Sequence, residues 1–122
     1  MKFSIDKNDS FCVFKLDESK LDSMSAPKLK SELVLLNAEG NRNIILNLDT
    51  VQFVDSSGLS AMLVGNRLCK EAKGTFVVAA PMENVIRLLK ISQLDSVLNI
   101  VPSLGEATDM VMMDELERDL NE

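Results

Sequence analysis

Asp55-Ser56-Ser57-Gly58 is the stretch of this chain best equipped for chemistry, an acid, two adjacent hydroxyls and a glycine set between two apolar runs. Serine and aspartate are also what a helix start prefers, because their side chains accept from orphan backbone N–H groups, an effect of about 1 kcal/mol. The same position suits an anion, since free N–H groups and the helix dipole favour negative charge. A phosphate on Ser56 or Ser57 would add about −1.5 to −2 charges and three acceptor oxygens, enough to rewrite a docking surface without refolding the chain. Asp55, directly before the hydroxyls, is placed to orient one of them and to repel a phosphate on it. Self-contained catalysis has little to work with. The chain has no histidine, which removes the commonest general base and the imidazole of serine or cysteine triads. No acid and base pair is positioned around Ser56.

The elements that must hold this stretch follow from periodicity. Residues 3–6 and 11–16 alternate apolar and polar side chains around the turn-forming Asn8-Asp9-Ser10, which predicts an N-terminal hairpin. Ser25 is expected to cap a helix with Pro27 in its first turn, carrying Ala26, Leu29, Leu33 and Leu36 on one face until Gly40. Residues 44–48, rich in branched apolar side chains, read as a central strand covered on both faces. Residues 58–72 read as helix, 75–80 as a buried strand, and Pro81 opens a third helix with Val85, Leu88 and Leu89. A strand over 97–101 and a helix after Pro102 complete the chain. In that last helix Met110, Met113, Leu116 and Leu120 are expected to form a core stripe, with Asp109, Asp114, Glu115, Glu117 and Arg118 in solvent. Strands joined by helices imply parallel pairing, so with the hairpin the class is α/β, a mixed sheet of four to five strands with four helices packed on it. Asp55-Ser56-Ser57-Gly58 falls where a strand ends and a helix begins, the place where such sheets gather ligands.

Composition narrows the function. At 122 residues and 46% hydrophobic, the chain fits one domain over residues 1–122. Cys12 and Cys69 match no metal or redox spacing and are expected to be free thiols; no metal or cofactor is expected. A net charge of −6 without tryptophan or tyrosine argues against nucleic acid as a partner. Apolar runs are too short to span a bilayer and the N-terminus lacks a signal-peptide pattern, so the expected location is the cytoplasm, away from the membrane.

The run NIILNLDTVQFVDSSGLSAM, residues 43–62, resembles the signature of the STAS domain of bacterial anti-sigma factor antagonists. Asn47-Leu48 closes a strand, and Asp55-Ser56-Ser57-Gly58-Leu59 follows at the family's spacing. KGTFVVAAPMENVIRLLKISQLDSVLNIVPSLGEA is similar to the family's later strand, helix, strand and final helix. The resemblance implies that Ser56 is the phosphoacceptor, with Ser57 helping to position it. It implies an anti-sigma factor serine kinase as partner: unphosphorylated antagonist sequesters the kinase and frees the sigma factor, phosphorylation breaks the complex, and a serine phosphatase resets it. On the same grounds Asp22, in KLDS, matches an acidic residue of the recognition surface, and Asp55, Gly58, Ser60, Ala61, Met62 and Val64 are candidate contacts. Where the family often has Gly-Glu-Leu-Asp, this chain reads Ser19-Lys20-Leu21-Asp22, a lysine for an acid.

Two other readings share parts of this pattern. STAS-like domains also serve as unphosphorylated docking subunits of transport or sensory assemblies. An aspartyl-phosphate receiver domain has similar length, but Asp6 and Asp9 flank a hairpin instead of forming an acidic cluster, and residues 97–105 lack the required lysine.

Overall fold

The computed structural model describes residues 1–121. Five strands form one sheet: β1 (Phe3–Lys7), β2 (Cys12–Leu16), β4 (Ile44–Asn47), β6 (Phe76–Ala79) and β7 (Asn99–Val101), ordered β1-β2-β4-β6-β7. β1 pairs antiparallel with β2, and the other neighbours are parallel. The fold is therefore α/β with a mixed sheet, and the hairpin and the central, fully buried β4 stand as the periodicity predicts. A second, two-stranded sheet pairs β3 (Lys20–Leu21) with β5 (Phe53–Val54) in parallel.

Helices α1 (Ala26–Ala38), α2 (Ser56–Glu71) and α3 (Glu83–Ile91) connect the parallel strands. Each crossover advances the sheet order in the same direction, and right-handed crossovers then put all three helices on one face. The main core lies there, with Leu29, Leu33 and Leu36 of α1, Ala61, Met62 and Cys69 of α2 and Val85 and Leu89 of α3 packed on Phe14, Leu46, Phe76 and Val78. α2 approaches the sheet closely at Gly65, where an added Cβ would lie 2.5 Å from Cε1 of Phe76. Cys12 and Cys69 are free and buried in this core. Burial pushes the Cys12 thiol up to about 11 and the Cys69 thiol up to about 12, which leaves both protonated and unreactive near neutrality.

Helix α4 (Leu104–Asn121) covers the opposite face by itself. Its orientation corrects the sequence-based expectation. Met113, Leu116 and Leu120 are 57%, 53% and 75% exposed, whereas Ala107 and Val111 are buried against Ile45, Val77, Ala79 and Val101. Below Val111 the helix turns polar residues inward. Glu115 accepts from Arg42 Nε and Nη2 at 3.1 and 2.8 Å, from Asn43 Nδ2 at 2.6 Å and from Arg118 Nη1 at 2.9 Å. Thr75 Oγ1 donates to Asp114 Oδ2 at 3.0 Å and accepts from Arg118 Nη2. Asn43, itself buried, closes the network by accepting from the Thr75 N–H at 2.9 Å. Burial raises the Glu115 carboxyl, but the hydrogen bonds from Arg42 and Asn43 and the charges of Arg42 and Arg118 outweigh it and hold the group below the usual carboxylate range.

One further expectation fails at Ser25. It stands at the head of α1, yet its hydroxyl makes no cap: Oγ accepts from the Asp22 N–H at 3.1 Å and donates to the Lys20 carbonyl at 3.4 Å. The hydroxyl braces the turn before the helix instead.

A carboxyl whose folded pKa is depressed contributes stability above its unfolded value, 4.5 for Glu115, and that contribution disappears as pH falls through the folded value. Glu115→Gln is expected to destabilise the chain at pH 7 by on the order of 1 kcal/mol, discounted for partial exposure. The gap to the parent, followed by circular dichroism during thermal unfolding, should close as pH is lowered below about 4. A gap that stays constant with pH would show that the ionised carboxylate does not matter.

Candidate functional site

The site is organised by the β3–β5 ladder. Lys20 pairs with Phe53 and Leu21 with Val54, and the Asp55 N–H donates to the Leu21 carbonyl at 3.2 Å. Asp22 and Asp55, 33 positions apart in sequence, are the residues that follow the two strands, so an acid stands after the end of each. The Ser19 carbonyl, accepting from the N–H groups of Gln52 and Phe53 at 2.8 and 3.1 Å, anchors the other end.

Asp55 then caps α2. Its backbone is extended, with φ −104° and ψ −173°, and Oδ1 accepts from the N–H groups of Ser57 at 2.8 Å and Gly58 at 3.1 Å. This sharpens the electrostatics expected of the helix start. The N–H groups of Ser57 and Gly58 are not free for a ligand, because a carboxylate already occupies them. Ser56, at the first helical position, is exposed, and its hydroxyl has no hydrogen-bond partner among the described residues.

Gly58 is buried because α2 is seated directly on the ladder. A Cβ there would lie 2.6 Å from Val54 Cγ1, 2.7 Å from the Leu21 carbonyl oxygen and 2.9 Å from Leu21 Cγ. Its smallness holds the helix start against both strands, which makes it a packing residue instead of a contact for a partner.

Asp22 is half-buried and organises its own turn. Its carboxylate accepts from the Met24 N–H at 3.0 Å, and its carbonyl accepts from the N–H groups of Ser25 and Ala26.

Further along α2 the candidates divide. Ser57, Ser60 and Val64 are half-buried. Ala61 and Met62 are both 0% exposed and belong to the main core, so neither can meet a partner. They stand five and six residues after Ser56, on the far side of a helix with about 3.6 residues per turn. The open stripe is Ser56, Ser60, Leu63 and Arg67, at steps of four, three and four. Sequence reasoning missed Leu63, which that spacing from Ser56 would have found. Met24 and Phe53 are exposed apolar side chains flanking the two aspartates in sequence. Around residue 22 a depression of about 360 Å³ is lined by Met1, Glu18, Lys20, Asp22 and Met24.

Among the described residues no three Asp, Glu, Cys or His side chains could hold a metal ion together. Among the described residues no helix is long and apolar enough to cross a membrane. A larger cavity of about 500 Å³ lies at the other end of the parallel strands, lined by Arg42, Lys73, Asp114, Glu117, Arg118 and Asn121. Two of its cations, Arg42 and Arg118, already pair with Glu115.

Compared with known families, residues 2–107 match the STAS domain. The chain belongs to the STAS domain family. Its STAS relatives include BtrV of Bordetella bronchiseptica, provisionally named an anti-sigma factor antagonist, 25% identical over 84% of this chain and 88% of BtrV. Among solved structures, TM1081 from Thermotoga maritima, with the same provisional name, is 26% identical, covers 90% of this chain and 94% of its own, and superposes with a TM-score of 0.80. The Bacillus cell fate determinant SpoIIAA, solved in its phosphorylated form, shares the fold at 21% identity and a TM-score of 0.70, over 90% of this chain and 99% of its own.

The STAS helix start yields two expectations for purified variants. Asp55→Ala removes the acceptor for two N–H groups and should cost about 1 kcal/mol of unfolding free energy. Gly58→Ala forces a methyl into backbone and should cost more, about 1–3 kcal/mol. Chemical denaturation checks both; a neutral Gly58→Ala would mean that α2 is not seated on the ladder.

Proposed function

We propose that this STAS chain is an anti-sigma factor antagonist that works by partner switching. Unphosphorylated, it binds an anti-sigma factor that is also a serine kinase, and so frees the sigma factor. Phosphorylation of Ser56 breaks that complex, and a serine phosphatase restores it. The observation that carries this reading is the Ser56 hydroxyl, exposed at the head of α2 without a hydrogen-bond partner among the described residues and directly after Asp55 at the end of the β3–β5 ladder. Relatives named for anti-sigma factor antagonism support it.

In this reading the chain is a substrate and not an enzyme: the kinase supplies ATP, magnesium and catalysis, and the chain needs no cofactor. Asp22, Asp55, Ser57 and Ser60 surround the acceptor as docking contacts, while Ala61, Met62 and Gly58 support them from below. Because Asp55 already holds the N–H groups of Ser57 and Gly58, a phosphate on Ser56 is directed outward, next to a carboxylate. It changes the charge of the surface and leaves the fold in place. Where a neutral hydroxyl had docked, such a charge must be desolvated without a partner, and every 1.4 kcal/mol lost is about tenfold in affinity. The chain acts as a single domain over residues 1–122, in the cytoplasm, with neither nucleic acid nor membrane as partner.

Incubation with ATP and the cognate anti-sigma factor kinase, followed by peptide mass spectrometry, should place phosphate on Ser56. In titration calorimetry Ser56→Ala should bind the kinase like the parent and Ser56→Asp at least tenfold more weakly. Equal binding of all three proteins, or phosphate confined to another residue, would defeat the switch and favour a STAS docking subunit of a transport or sensory assembly.

A further inference from the structure

Helix α4 is amphipathic in the reverse sense. Steps of about 100° per residue place Ala107, Val111, Asp114 and Arg118 on the half facing the sheet, where the first two are buried and the last two bond Thr75. The same steps place Asp109, Met112, Met113, Leu116 and Leu120 on the opposite half. Met112 is 46% exposed, and the other three apolar side chains more so. The helix cannot roll to bury them, because Glu115 and Arg118 are tied to Arg42, Asn43 and Thr75. A contiguous apolar stripe held outward on a tethered helix, rimmed by polar residues, is the kind of surface that marks interaction sites.

Charge selects the occupant. The helix itself is acidic along the rim of the stripe, with Asp109, Glu117 and Asp119 exposed beside it, while Lys73 and Arg42 share a cavity with Glu117 at one edge. Arg118, the one basic residue between positions 104 and 121, is turned inward onto Glu115. A second copy would bring the same acidic rim against this one in a chain of net charge −6, and like charges across an interface disfavour association. An anionic membrane surface is repelled for the same reason. A cationic amphipathic helix meets both requirements, its apolar face on Met113, Leu116 and Leu120 and its lysines or arginines on the acidic rim. The STAS match ends at residue 107, so this stripe lies outside the part of the chain that matches the family.

We infer that the outward face of α4 is a docking site for a basic amphipathic helix of a partner protein. It is separate from the surface at Ser56 and does not depend on the reading of that surface.

The probe is a synthetic Leu/Lys peptide with leucines at i, i+3, i+4 and i+7 spacing, titrated by calorimetry and by amide chemical shifts into the full chain. Binding with shifts centred on Met112, Met113, Leu116 and Leu120 is the expected result. Met113→Ser combined with Leu116→Ser should weaken it at least tenfold, as should Glu117→Lys combined with Asp119→Lys, with unchanged thermal unfolding. Leu120→Ser alone, at the last helical turn, provides a milder variant that should weaken binding in the same direction. Ser56→Asp should leave the affinity untouched. The inference is overturned if the patterned peptide does not bind, or if a scrambled peptide of the same composition binds as well. Sedimentation showing a dimer that the serine variants dissolve would assign the face to a second copy instead, and binding to phosphatidylcholine vesicles would assign it to lipid.

Discussion

Everything at the Ser56 end rests on a contact that leaves no room for a methyl group. Gly58 sits so close to the Leu21 carbonyl and Val54 that helix α2 is clamped onto a ladder of two residue pairs. The ladder alone is too short to be stable, since even a full hairpin is marginal in water. The helix packed upon it supplies what it lacks. In return the ladder fixes where α2 begins and puts Asp55 in position to cap it, with Asp22 following the end of the other strand. Packing and capping are consequences of one close approach.

The rest of the molecule follows from a sheet whose connections all run over one face. That face receives three helices and the main core, and the other would be bare without α4. Covering it raises a problem at the start of the parallel strands, where Asn43 and Thr75 are buried polar residues that must be satisfied. α4 answers with Asp114, Glu115 and Arg118. Once those positions are committed to the inner side, helical geometry leaves Met112, Met113, Leu116 and Leu120 no place but the outer one. The exposed stripe is the geometric complement of the polar clamp.

How far the sequence could be read divides along the same line. β4, β6 and helices α1 to α3 were legible because their burial follows a local period, as at Leu29, Leu33 and Leu36. α4 was not, because a Met/Leu stripe ordinarily points inward and acids outward, and its inversion depends on Arg42, Asn43 and Thr75, between 39 and 73 positions away. β3 was invisible for lack of length, since two residues carry no period, and β5 was legible only as the strand-like end of the apolar run before Asp55. At the site, the sequence places Asp55, Ser56 and Gly58 on a strand-to-helix junction, and the structure agrees. The sequence does not mark which side of α2 faces out, so Ala61 and Met62 pass for surface although both are buried in the core. Ser25 illustrates a subtler limit, since a hydroxyl at a helix start can serve the turn behind it as readily as the helix ahead.

The positions of Met1 and Asn121 bear on where a label can be attached to this domain. Met1 lines the same depression as Lys20, Asp22 and Met24, and its ammonium lies 4.0 Å from Glu18. α4 leaves β7 at the Ser56 end and runs back to Arg42 and Lys73 at the far end of the sheet, so Asn121 lies a full helix length away. An affinity tag, a fluorophore or a fused domain joined ahead of Met1 crowds the acidic surface beside Asp22. The same cargo joined after the last helix starts from the opposite pole and leaves the Ser56 hydroxyl uncovered.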